Sequence, residues 1–265
     1  MPLVFLAHQA PFLPLVRRGS RHVDGVAFLV GTMAPDFAYA LTGTRFELWA
    51  HALPGLLTFC VPATLAVAWI VVRALAPVVP AHLPDAGAFR LRDYRALARH
   101  RFRWPLAAAW AGIGAWMHVV LDAPGHAWGW PARHFAFYRE PLGTALFLER
   151  PWTLFRLAQY AGHVGWTALA LVLLWRYGRE RWLAAEAARV PEFPASPRTH
   201  AVLWGATLLG LAAGALWVAA DPRNTSALIL RLVAGTFAGL TLGAWLARLA
   251  RPSGTRDPGS DPGAA

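Results

Sequence analysis

Apolar residues run along this chain in long blocks, parted by short stretches rich in arginine. A helix that crosses a bilayer needs about 20 mostly apolar residues. Five blocks reach that length, roughly Leu53–Val72, Pro105–Asp122, Leu157–Trp175, Ala201–Ala220 and Leu228–Ala247. A sixth, Val26–Leu41, is shorter and carries Pro35-Asp36 near its middle, so it fits a span, a re-entrant hairpin or an interfacial segment. Pro105 falls at the first helical position of its block, and Pro124-Gly125 stops that helix just past Asp122. The pattern predicts an all-α fold, a polytopic transmembrane helical bundle. It forms one membrane domain over residues 1–250, and the Pro/Gly/Ser/Asp-rich tail 251–265 has the composition of disorder.

Composition agrees. Hydrophobic residues make up 57% of the 265 and charged residues only 15%, against roughly 25% in soluble domains, which need charge to cover their surface. The net charge is +11 and all 25 basic residues are arginine, a usage that fits a G+C-rich genome. Such basicity also suits nucleic acid, but here the arginines lie between apolar blocks, so topology explains them and no nucleic-acid partner is expected. Arg73 to Arg103, Arg176 to Arg198, and Arg248, Arg251 and Arg256 alternate with the less basic connections Ala123–Arg150 and Asp221–Thr225. The positive-inside rule therefore puts the basic stretches in the cytoplasm. Spanning by Val26–Leu41 would add Arg17, Arg18 and Arg21 to that side, for six spans. Trp128, Trp130, Trp152 and Phe135–Tyr138 crowd the long external connection, as an interfacial belt does. The stretch Phe89–Arg103 interleaves arginine with apolar residues, which fits both anionic headgroups and ordinary loop charge. The single Cys60 leaves no intramolecular disulfide and no Cys-based zinc site.

The chemistry-bearing residues concentrate in Gly112-Ile-Gly-Ala-Trp-Met-His118-Val-Val-Leu-Asp122-Ala-Pro-Gly-His126. His118 and Asp122 are four apart and share a helix face, and His126 can fold back past the Pro-Gly stop. Eighteen residues at 1.5 Å each put Asp122 about 27 Å along its span, at the external end. Ionisable groups at such a depth are costly and mark function. A His/Asp/His set suits zinc, manganese or iron; the same residues could instead link helices by hydrogen bonds. His51, before Leu53-Pro54-Gly55, reaches the same external side. Asp36, isolated among apolar residues, needs a cation, a metal or a wet cleft, unless it caps a helix after Pro35. His8 joins them only along a re-entrant path. Gln159 and His163 share a face of the third long block and read as packing or supporting groups. His22, His82, His100, His134 and His200 lie in connections. Gly235, Gly239 and Gly243 form a small-residue stripe that permits close helix packing, including with a second copy.

His8-x-x-Pro11, Gly31-x-Met33-Ala-Pro35-Asp36, His51-x-Leu53-Pro54-Gly55 and Gly114-x3-His118-x3-Asp122-x3-His126 resemble the bacterial integral membrane family called domain of unknown function 4184. The resemblance covers roughly residues 1–250, with the specific boxes in the first 130. More distantly, the Pro-Asp and His-x3-Asp boxes are similar to inner-membrane proteins of the YdjM type, whose expected activity is metal-dependent hydrolysis. The resemblance implies a ligand set of His8, Asp36, His51, His118, Asp122 and His126, with Asp36, His118 and Asp122 in catalysis. It also implies a divalent ion, zinc or manganese first, and a multi-pass place in a bacterial cytoplasmic (inner) membrane. Gly125 stands where the family pattern has threonine, so no hydroxyl role carries over.

Three functions fit these residues. The first is a membrane-embedded metal-dependent hydrolase of an envelope lipid or phosphoester. The second is a non-catalytic scaffold that uses its polar residues to join helices and its glycine stripe to recruit a partner. The third is a transporter with Asp36 near the midplane beside a broken helix.

Overall fold

Helices account for nearly all of the regular structure in the computed structural model, which describes residues 7–18, 21–144, 151–221 and 225–250. The tail 251–265, expected to be disordered, lies outside these residues, as do Arg251 and Arg256. Three short helices open the chain: α1 (Leu13–Arg18), α2 (Gly25–Gly31) and α3 (Ala34–Phe37). Five long ones follow: α4 (Leu53–Leu75), α5 (Trp104–Asp122), α6 (Leu154–Arg179), α7 (Pro197–Ala220) and α8 (Thr225–Leu249). Each long helix holds a window apolar enough to cross a bilayer, so the chain is a multi-pass membrane protein. Strand pairing among the described residues is a two-residue antiparallel ladder, with Gly143 opposite Trp152 and Thr144 opposite Pro151.

The sequence explains the helix boundaries. Asp24 caps α2 by accepting from the Ala27 N–H at 3.0 Å. Ser196 and Thr199 form a reciprocal capping box at the start of α7, with Pro197 in the first turn. Inside α4, Pro62 has no N–H and its ring crowds the preceding turn. The chain answers with a wider π turn over Leu56–Cys60, in which Val61 N–H reaches back to Leu56 O.

Where the sequence predicts one membrane domain, the described chain divides into two compact units. The first comprises Met1–Val67 with Phe102–Leu174, and the second Ala68–Arg101 with Trp175–Ala265. In the first unit, the undecided segment Val26–Leu41 resolves into α2, α3 and a 3₁₀ turn over Ala38–Leu41, broken at Thr32-Met33, and is no continuous span. With α1 it makes a hairpin: the Phe12 and Phe28 rings meet at 5.0 Å, and Val16 packs on Gly25. The hairpin's turn lies at the N-terminal end of α5, where Arg103 donates to Arg21 O at 3.2 Å and Trp110 donates to His22 O at 2.7 Å. From there α2 runs alongside α5 toward Asp122. Its close approach depends on two glycines: a Cβ on Gly31 would meet Ala111 O at 2.6 Å, and one on Gly114 would meet Phe28 O more closely still. Ala34, Ala38, Ala50, Leu56, Cys60 and Ala115 form the buried cluster of this unit.

In the second unit α7 and α8 pack backbone to backbone. A Cβ on Gly235 would strike Gly210 O, one on Gly239 would strike Ala206 O, and one on Gly243 would lie 2.6 Å from Leu203 O. This corrects the reading of Gly235, Gly239 and Gly243 as a face for a second copy, because α7 of the same chain already fills that stripe. Two basic connections also meet here, through Arg181 to Asp93 at 3.1 Å and Arg99 to Glu186 at 3.1 Å.

Candidate metal centre

Polar side chains converge where α5 ends and α2 breaks. The convergence starts from Pro35, which cannot donate a backbone hydrogen bond and ends α2 early. Asp36 N–H turns to Met33 O at 3.1 Å, one residue short of the α-helical partner. Thr32 O is therefore left free, and His118 Nδ1–H donates to it at 2.9 Å. A carbonyl can only accept, so this bond sets the tautomer and leaves the Nε2 lone pair of His118 facing the site.

Around that atom stand two carboxylates. Asp36 Oδ1 lies 3.5 Å and Asp122 Oδ2 3.5 Å from His118 Nε2, and His51 Nε2 lies 3.9 Å from the same Asp36 oxygen. These separations exceed the 2.7–3.2 Å of a good N–H···O bond. They approach the roughly 3.3–3.4 Å edge of a tetrahedron whose four ligands sit about 2.0–2.1 Å from a central ion. Both His118 Nε2 and His51 Nε2 are buried without a hydrogen-bond partner. A buried polar atom left so costs about 1–3 kcal/mol, and here two such imidazole nitrogens lie beside the carboxylates. With neutral imidazoles, Asp36 and Asp122 together carry about two negative charges into a water-poor site, which one divalent ion would balance. Burial holds the His51 imidazole down at about 4, so at neutral pH it offers a free lone pair. Residues and atoms thus fit a divalent metal.

The remaining predicted residues take other places. His8 Nε2–H donates to Asp122 Oδ1 at a true hydrogen-bond distance, 3.0 Å, and its ring lies 4.1 Å from that of His118. The re-entrant path that His8 requires is the α1–α2 hairpin. His8, His118 and Asp122 make one cluster at ligand spacing, and Asp36, His51 and His118 another. Because His8 is committed to Asp122, the cluster of Asp36, His51 and His118 is the better cation cradle, and Asp122 Oδ2 reaches it at His118 Nε2 while His8 holds the other carboxylate oxygen. His126 stands at the rim. Its Nδ1–H donates to Asp122 O at 2.9 Å, its Nε2 accepts from Gln159 at 3.3 Å, and its ring stacks on Trp128. Its Nδ1 also lies 3.7 Å from Asp122 Oδ2, so His126 borders the cluster while both of its nitrogens hold other hydrogen bonds.

Some contributors were not legible in the sequence. Thr32 acts through a backbone carbonyl, which no residue type announces, although the proline three positions later is the signal. Tyr39, whose ring lies 5.5 Å from that of His51, was not singled out either, whereas Gln159, read as a packing or supporting group, does bond His126. Asp36 sits beside His118 at the C-terminal end of α5, which removes the main support for a transport path through Asp36.

The comparisons add kinship. No curated protein and no solved structure matches the chain. The family described as Domain of unknown function (DUF4184) matches residues 1–249, which takes in all six predicted site residues. The chain belongs to the DUF4184 family.

Proposed function

We propose that this protein is a membrane-embedded, metal-dependent hydrolase acting on an ester or phosphoester of an envelope lipid. One observation carries the reading: His118 Nε2 faces the Asp36 and Asp122 carboxylates, and His51 Nε2 faces Asp36, both nitrogens buried and unpartnered and all three separations longer than a hydrogen bond. Asp36, His51, His118 and Asp122 would hold the ion, zinc or manganese by their mixed imidazole and carboxylate chemistry. Such an ion supplies a bound water acidic enough to act as a nucleophile near neutral pH. The chain's own part is positional: Thr32 O holds the His118 ring, and His8 holds the Asp122 carboxylate in one orientation. On this reading the protein sits in a bacterial cytoplasmic membrane with the site under the outer leaflet, the side opposite its arginine-rich connections.

A second reading draws on the His8–Asp122 hydrogen bond: the cluster is a purely structural network in a non-catalytic scaffold, with His118 shared between two carboxylates. Elemental analysis of purified protein separates the two. The hydrolase reading expects about one zinc or manganese per wild-type chain and none in the His118→Ala, Asp122→Ala double variant. Equal, near-zero metal in both samples overturns it.

A further inference from the structure

Beside the cluster, between α5 and α6, lies a cavity of about 190 Å³. His8 and Asp122 stand in its wall, with Gln159, Gly162, His163 and Trp166 of α6 opposite. His163 Nε2 is buried there without a hydrogen-bond partner. The residue lies about nine positions into α6, roughly 14 Å along an apolar span, where hydrocarbon offers an imidazole nothing to bond with. Gly162 leaves room in this wall: a Cβ there would meet only the Trp166 ring of its own helix, at 3.7 Å. The rest of α6 packs little, with only 6% of its apolar window buried. Val120 and Trp166, at the cavity's wall, are exposed on the flanks of two spans, so the opening faces lipid.

We infer that this cavity binds the phosphate-bearing headgroup of a bilayer lipid that arrives sideways between α5 and α6, with His163 donating a hydrogen bond to a phosphate oxygen. The inference rests on the hydrolase reading only for what happens to the lipid afterwards. Size supports a headgroup: about 190 Å³ is below the 300–1,000 Å³ of pockets that enclose a whole drug-sized ligand, so the tails stay in the bilayer. Chemistry supports a headgroup rich in hydrogen-bond acceptors, since Asp122, the one carboxylate of the lining, is already bonded to His8. The inner end offers His163 and the Gln159 amide as donors, and Val120, Leu121 and Trp166 make the outer wall apolar. A phosphate oxygen satisfies the unpaired imidazole N–H, whereas a diacylglycerol has no anionic acceptor to put there.

The test titrates dioctanoyl phosphatidic acid, dioctanoylglycerol and inorganic phosphate into the full chain, as purified in neutral detergent, and follows thermal unfolding. Phosphatidic acid should stabilise the wild type, and the other two should not. His163→Leu should weaken that binding about 10- to 100-fold, the range expected for losing one hydrogen bond to a charged group. His163→Gln, which keeps an N–H at similar reach, should restore most of it. Gly162→Leu, which fills the cavity, should abolish binding. Equal protection by dioctanoylglycerol overturns the inference, as does equal protection by inorganic phosphate or unchanged binding in Gly162→Leu. Metal content measured on the same samples keeps the readings apart: a metal-free wild type that still binds phosphatidic acid fails as a hydrolase and stands as a lipid site.

Discussion

His8 and His118 are both imidazoles buried against Asp122, yet their roles separate on a distance. His8 reaches Asp122 Oδ1 at 3.0 Å and spends its proton there. His118 keeps its Nε2 3.5 Å from both carboxylates because Thr32 O has taken its Nδ1–H. The two should therefore respond differently to mutation. Replacing a residue that only orients a ligand costs about 10- to 100-fold in metal affinity, so His8→Ala should weaken zinc binding by that factor while leaving the stoichiometry attainable at high metal. His118→Ala should remove the site outright. Competition titrations against a chelating dye measure both, and equal losses in the two variants would contradict the division of roles.

Among the elements, the contact of α2 with α5 governs the site. Gly112 and Gly114 are two residues apart on α5 but face different surroundings. A Cβ on Gly112 would rest against Val61 Cγ2 at an ordinary 3.6 Å, whereas one on Gly114 would collide with the Phe28 carbonyl. Gly112→Ala should stabilise the protein by about 0.5–1 kcal/mol, the gain from removing a mid-helix glycine. Gly114→Ala should destabilise it by about 1–3 kcal/mol through overpacking, and should also cost metal affinity by pushing Thr32 away from His118. Thermal unfolding in detergent reads the first pair of effects, and metal titration the last. If both alanines behaved alike, the close approach of α2 would not be what holds His118 in place. The boxes Gly31-x-x-x-Pro35-Asp36 and Gly114-x3-His118 can now be read physically: the glycines let two helices touch, and the polar residues one turn on meet because of it.

Across the whole molecule, charge and chemistry separate along α5. Arg103 and Arg21 meet at its N-terminal end, and the His/Asp cluster gathers at its C-terminal end. In a Cys60→Ser background, Arg103→Cys and Ala127→Cys flank the span. The positive-inside rule expects a membrane-impermeant thiol reagent to label position 127 in intact cells and position 103 only after permeabilisation. The reverse pattern would move the site to the inner leaflet and remove outer-leaflet lipid as substrate. The five long helices were legible as spans because length and hydrophobicity are properties of a single segment. Residues 26–41 were not, because whether a broken apolar stretch crosses, re-enters or lies flat depends on what packs beside it. The glycine stripe of α8 was visible too, but whether it meets a second copy or α7 was a question about a partner surface.

The sequence by itself determined a helical multi-pass membrane protein, because length and hydrophobicity are local, and its motifs, with the family resemblance they carry, singled out the six residues around which chemistry was expected. Only the tertiary structure decided which of the six face one another at ligand distance. It also decided that His126 gives its Nδ1–H to the Asp122 carbonyl and its Nε2 to Gln159, and that His163, read as a packing or supporting group, lines a cavity. Those outcomes hang on one missing N–H at Pro35, two missing side chains at Gly31 and Gly114, and the hairpin that carries His8 back to Asp122. Each acts across eighty or more residues of chain, beyond the reach of any periodicity.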